Sequence, residues 1–218
     1  MTASRSLLLL LCLAACAPDR VTTVDPAAPG TRHGQHEPRP PATSDDDDPT
    51  FLQAATDAPT IANPVVQFWA KRGEERTAEM YYHAAPGERD SVVFLSLRVR
   101  EESLVSRPDG TPLARGDSLL ITITLVDPTR LVVDCQPSGL RFSPRDPARL
   151  KMSFAHADDD VNGDGTVNGG DRSLTTALAL WRRESSTEPW ERLVSEVEVG
   201  VHEVEAEIGG FTGYAIAW

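Results

Sequence analysis

The chain has 218 residues, of which 25% are charged, and a formal net charge of −12. That acidic balance argues against nucleic acid or anionic headgroups as direct partners, because both are polyanions that proteins meet with lysine and arginine. The length allows one domain of ordinary size, plus whatever precedes it.

At the N-terminus, Arg5 is followed by an apolar run over residues 7–11 and then by Leu13-Ala14-Ala15-Cys16. A charged end, a short apolar core and small residues make a secretory signal over residues 1–15, too short to span a bilayer as a mature helix. The last four residues resemble the lipobox of bacterial lipoproteins. That resemblance implies a diacylglycerol on the Cys16 sulfur, cleavage that leaves Cys16 first, and acylation of its amine. Several acyl chains, each methylene contributing roughly 0.8 kcal/mol, hold a protein on a membrane where one chain does not. Ordinary cleavage after the two alanines is the alternative. Ala17, standing where an Asp would retain such a protein, implies the bacterial outer membrane or cell surface, with its periplasmic face also open.

Residues 16–63 form the lipidated Cys16 and an expected disordered tether. Pro18, Pro26, Pro29, Pro38, Pro40, Pro41, Pro49 and Pro59 punctuate it, an acidic run covers residues 45–48, and few large apolar side chains occur. Such composition does not offset the entropy of ordering and predicts an extended spacer. His33 and His36 within it have the look of an incidental pair. Of three cysteines, Cys12 leaves with the signal and Cys16 takes lipid, so Cys135 is left alone and no internal disulfide forms. Cys135 shares a strand face with Leu131 and Val133, the position of a small buried hydrophobe rather than a nucleophile.

Residues 64–218 carry the punctuation of an all-β domain, short apolar runs separated by Pro, Gly and Asp turns. SVVFLSLRVR sets Val93, Leu95, Leu97 and Val99 against Ser96, Arg98 and Arg100, and SLLITITLVD sets Leu119, Ile121, Ile123 and Leu125 against Thr122 and Thr124. Between them RPDGTPLARGD contains a Pro-Asp-Gly turn. ERLVSEVEV reads as one strand, and HEVEAEI as another whose Glu203, Glu205 and Glu207 form a solvated face. Roughly ten strands in one such length predict an antiparallel β-sandwich.

Inserted in it, within residues 158–171, is DVNGDGTVNGGD. Asp160, Asn162 and Asp164 occupy positions one, three and five of a calcium loop, and Gly165 takes the turn at six. Thr166 offers a carbonyl at seven, Asn168 sits at nine where a ligand often works through water, and Asp171 closes at twelve. The cofactor implied is Ca2+. A closing Asp reaches an ion less easily than a bidentate Glu, which predicts weak affinity. The competing reading is a solvated turn without an ion. These twelve residues resemble the EF-hand type of loop, and dockerin loops in particular, which also tend to end in Asp. A dockerin has two loops, each leading into an amphipathic helix; this chain has no second copy, and residues 177–183 alternate as a strand does.

Gly139, Leu140, Phe142, Pro144 and Leu150 in GLRFSPRDPARLKMSF, then WRRE with Trp190, and Phe211 and Tyr214 in FTGYAIAW resemble the ZU-type β-sandwich of ankyrins and netrin receptors. The resemblance implies protein interaction and scaffolding without catalysis. No G-x-S-x-G, H-E-x-x-H, C-x-x-C or Gly-rich phosphate loop occurs, and His83, His156 and His202 stand apart. The sequence thus points to a non-enzymatic, lipid-anchored envelope or surface protein with a calcium-stabilised sandwich. The alternative is a carbohydrate-associated module, dockerin-like or glycan-binding, in which Trp69, Trp181, Trp190 and Trp218 would need to face solvent together. Either way the membrane is met through Cys16, and a protein or glycan partner is left open.

Overall fold

The computed structural model describes residues 48–84 and 92–218. The signal, Cys16 and the tether as far as residue 47, with His33 and His36, lie outside the described residues.

In chain order the strands begin with β1 (Val65–Lys71), β2 (Arg76–Tyr81), β3 (Val93–Val99), β4 (Leu104–Ser106) and β5 (Ser118–Asp127). They continue with β6 (Val132–Gln136), β7 (Arg141–Phe142) and β8 (Ala148–Ser153), after which comes the helix α1 (Gly169–Ala177). Last are β9 (Ala179–Arg183), β10 (Glu191–Arg192), β11 (Ser195–Glu198), β12 (Glu203–Ile208) and β13 (Gly213–Ala217). A six-stranded sheet runs β1-β5-β6-β13-β9-β10, a five-stranded sheet runs β11-β12-β8-β3-β2, and β4 pairs with β7. Every pairing is antiparallel. The all-β sandwich expected from the strand pattern is the fold.

Period-two alternation sets what each strand buries. Leu119, Ile121 and Ile123 of β5 turn inward and are buried, while Leu120, Thr122 and Thr124 remain accessible. Leu95, Leu97 and Val99 of β3 do the same opposite Arg98. Inner faces of both sheets meet in one cluster that includes Phe94, Leu97, Ile121, Val133, Leu150 and Ile216. Each fully buried side chain of this size contributes about 1.5–3 kcal/mol. Cys135 belongs to this cluster, and burial pushes its thiol above the ordinary range, as for a small core hydrophobe. On the outer face of the five-stranded sheet, Arg149 reaches Glu205 at 3.0 Å and Lys151 reaches Glu203 at 2.9 Å, a solvated lattice of charge. The Pro-Asp-Gly turn closes with Gly110 N–H donating to the Arg107 carbonyl at 2.9 Å.

The structure departs from the sequence reading in three places. First, residues 48–63 are not tether but part of the sandwich. Leu52 is 1% exposed, its N–H donates to Ile216, Thr50 and Trp218 exchange backbone hydrogen bonds, and Ala62 donates to Tyr81. Isolated large apolar residues, Phe51, Leu52 and Ile61, supply what an average over a proline-rich stretch conceals. Second, ERLVSEVEV is two strands: β10 stays in one sheet and β11 crosses to the other, leaving Val194 between them 98% exposed. The Ser195 hydroxyl steadies the crossing by accepting from Leu180 N–H and donating to the Leu193 carbonyl. Third, the metal loop leads into a helix.

Candidate metal centre

The loop bridges the two sheets at one end of the sandwich. It leaves β8 of the five-stranded sheet and, through α1 and the buried Leu178, delivers the chain to β9 of the six-stranded sheet. Its first turn is held by backbone bonds: Phe154 N–H donates to His202, and Asp158 N–H donates to Gln53 at 2.9 Å. Ala157 forms a bridge with Ala54. The segment read as tether is therefore one wall of the loop's seat.

Within the loop, side-chain oxygens turn toward the loop's own amides. Asp160 accepts from Asp164 N–H at 3.1 Å with one oxygen and from Gly165 N–H at 2.6 Å with the other. Asn162 Oδ1 accepts from Asp164 N–H at 2.8 Å, and Asp164 Oδ1 from Thr166 N–H at 2.9 Å. The backbone is folded tightly around positions one, three and five. Gly165, at position six, has φ +84°, which an L side chain rarely adopts, so the sharp turn requires the glycine.

Asp171 closes the ring. Its Oδ1 accepts from Asn162 N–H at 3.2 Å and its Oδ2 from Asn168 N–H at 2.8 Å, and the residue is 2% exposed. It is the third residue of α1, and Asn168 is the N-cap, whose Oδ1 accepts from Gly170 N–H at 2.6 Å. Together they form a capping box, in which each satisfies an amide the helix leaves free. The Asn168 N–H, with Asn162 N–H adding, holds the Asp171 carboxyl below its usual range against the cost of burial. A negative charge in the first turn also suits the helix dipole.

These contacts explain the helix that alternation did not suggest. With only Leu174 and Ala177 apolar, α1 has almost no stripe to advertise, and its start is written in the spacing of Asn168 and Asp171. Asn168 is a cap, and its Nδ2 donates to the Thr166 carbonyl at 2.8 Å. The position-nine side chain therefore serves as the helix cap.

By donor chemistry the loop suits a hard cation. Asp160, Asp164 and Asp171 supply carboxylates, Asn162 an amide oxygen and Thr166 a backbone carbonyl, with neither sulfur nor imidazole among them. Three like charges in one turn repel unless a cation or amide dipoles offset them, and here the amides do so. Among the described residues, no group of three or more His, Cys, Asp or Glu is gathered as a metal cluster. The donors present are thus right in kind and order, and are closed on backbone amides. Beneath the loop lies a cavity of about 480 Å³, lined by Leu52, Phe154, Val161, Val167, Leu178 and His202 among others.

The remaining candidates disperse. His156 packs edge-on against Tyr82 at 4.5 Å and His202 against Phe154 at 5.5 Å. Trp181 is buried and donates its indole N–H to the Ala217 carbonyl at 3.2 Å, Trp190 packs edge-on against Phe51 at 5.1 Å, and Trp218 is half-buried. Trp69 alone is broadly exposed, at 62%. Comparison with protein-family models, with curated proteins and with solved structures found no match.

Proposed function

We propose that the chain is a lipid-anchored envelope or surface protein whose β-sandwich is stabilised by one calcium ion and serves, without catalysis, a structural or protein-interaction role. The observation that carries the reading is the closed loop of Asp160, Asn162, Asp164, Thr166 and Asp171, tied by Asp171 to α1 and by Asp158 to residue 53. Bound there, calcium would offset two of the three carboxylate charges. The loop joins the two sheets through a rigid seat and has no second helix to swing, so the expected consequence is stability rather than signalling.

The dispersal of Trp181, Trp190 and Trp218 into packed positions supports this reading over a glycan-binding module. The residues behind the ZU-type resemblance point only to packing: Leu140, Phe142, Leu150, Phe211 and Tyr214 are buried, with Phe142 and Phe211 edge-on at 5.0 Å. The interaction role therefore rests on the surface, and the scaffold on these residues.

An ion that binds the folded loop and not the open chain adds RT ln(1 + [L]/Kd). For loops with Kd of roughly 10⁻⁴ to 10⁻³ M, millimolar calcium gives about 0.4 to 1.4 kcal/mol, a rise in Tm of about 1–6 °C for a domain of this size. Calorimetry with calcium and with chelator should show that difference, and Asp164→Ala should erase it. Equal melting temperatures, with no heat on titrating calcium, would return the loop to a solvated turn.

The anchor is tested separately. Wild-type chain should partition into detergent and incorporate a labelled fatty-acid precursor, and Cys16→Ser should do neither. Recovery of unlabelled wild-type protein in the soluble fraction would overturn the lipid anchor without touching the metal reading.

A further inference from the structure

Two sheets have four edges, and three of them are blunted. Strand β10 has only two residues, Glu191 and Arg192; β11 has four, with Glu196 and Glu198; β2 carries Arg76 and Glu79 and an irregular register at Met80 and Tyr81. Short, charged or irregular edges resist pairing with another chain. The fourth edge, β1, has none of these protections. It is seven residues long, VVQFWAK, pairs with β5 without a break in register, contains no proline, and has Lys71 at its end as its single charge. Among the described residues no strand lies on its other side, and no backbone partner engages the outward N–H and C=O groups of Val65, Gln67 and Trp69.

The side chains on the outer face agree. Trp69 is 62% exposed and stands opposite Leu120, which is 41% exposed; Val65 is 52% and Val126 56% exposed. Between them Gln67 donates to the Thr122 hydroxyl at 3.1 Å. Apart from Lys71, which Glu74 neutralises at 2.6 Å, this part of the face holds no charge, in contrast to the ion-paired outer face of the other sheet. Exposed apolar area with depleted charge and a tryptophan marks an interaction surface.

The pattern of β1 also names the occupant. Its outward residues read apolar, polar, apolar as Val65, Gln67, Trp69, which is symmetric about Gln67. An antiparallel strand of the same sequence placed with Gln67 opposite Gln67 sets Val65 against Trp69 twice, a favourable aromatic and β-branched pair, and matches every outward amide with an outward carbonyl. A strand of unrelated sequence has no reason to share that symmetry. We infer that β1 pairs with β1 of a second copy about a two-fold axis through Gln67, joining two six-stranded sheets into one of twelve strands.

The test uses the full chain carrying Cys16→Ser, so that shared micelles are not mistaken for pairing. Sedimentation over a concentration series should show the mass rising twofold, from one chain to two. Trp69→Glu, at an exposed position where the monomer's fold does not depend on the indole, should hold the mass at one chain. Gln67→Cys should be joined to its partner copy by a short bis-maleimide. Ser118→Cys, more than about 20 Å from its symmetry mate by strand spacings, should give no more product than the chain with no added cysteine. A chain monomeric at all concentrations, a dimer that survives Trp69→Glu, or equal cross-linking at both cysteines would overturn the inference. So would protection of the β1 amides that appears only when an oligosaccharide or a strand of different sequence is added.

Discussion

Leu52→Ala is expected to destabilise the domain by about 2–5 kcal/mol in urea denaturation, the range for emptying a packed leucine site. The size follows from its surroundings: the side chain is 1% exposed, belongs to the main core, and sits on backbone bonded to Ile216. Gln53→Ala, one residue on and exposed, should stay within about 0.5 kcal/mol. The same contrast predicts where proteolysis stops. Trypsin and less selective proteases should leave a resistant fragment that still contains Phe51 and Leu52. A Leu52→Ala effect below about 1 kcal/mol, or a stable core beginning near Val65, would show that residues 48–63 are dispensable.

Asp171→Ala, measured in chelator so that no ion contributes, is expected to cost about 1–3 kcal/mol. The substitution removes the acceptor for Asn162 and Asn168 amides and half of the capping box. The two donors are partly exposed, and the Asn168 bond is the capping-box bond itself, so the loss is that of two charge-assisted hydrogen bonds partly replaced by water, about 1–3 kcal/mol. Relief of repulsion from Asp160 and Asp164 works the other way. Asp164 is exposed and Asp160 half-exposed, and screened pairs of that sort are worth about 0–1 kcal/mol, so the hydrogen bonds win. Adding calcium to the variant should restore nothing. A cost under about 0.5 kcal/mol would mean that the carboxylate closes the loop for an ion alone.

Much of the sandwich was legible because alternation is a local signal. Leu119, Ile121 and Ile123, or Leu95, Leu97 and Val99, declare their face within one strand, and the structure buries them. What composition hid was long-range. Leu52 is ordered by a strand more than 160 residues away, so no window of sequence around it could report the contact. The break between β10 and β11 depends likewise on Ser195 meeting Leu180. In the loop, the identities of Asp160, Asn162, Asp164 and Gly165 were readable from spacing because a fixed turn demands them. The capping role of Asn168 was not, since the same residue type fills a metal-loop position, and only the hydrogen bond to Gly170 reveals the cap. The same limit applies to β1: its alternation is visible, but that it lies at an edge is a property of the assembled sheet.

The pairing of Thr50 with Trp218 also bears on how freely the chain could be rewired. The two residues exchange backbone hydrogen bonds, so the first and last described segments run side by side and a linker of a few residues would join them. With that join made, the polypeptide could be cut open at an exposed turn such as residues 185–188, and every strand would keep its neighbours while their order along the chain changed. The architecture is in this sense a closed circle, indifferent to where synthesis begins. Segments 50–52 and 216–218, the most distant in sequence and among the last to be made relative to one another, would become local in such a permutant, shortening the loop that must close before they pair and speeding the folding step that depends on it.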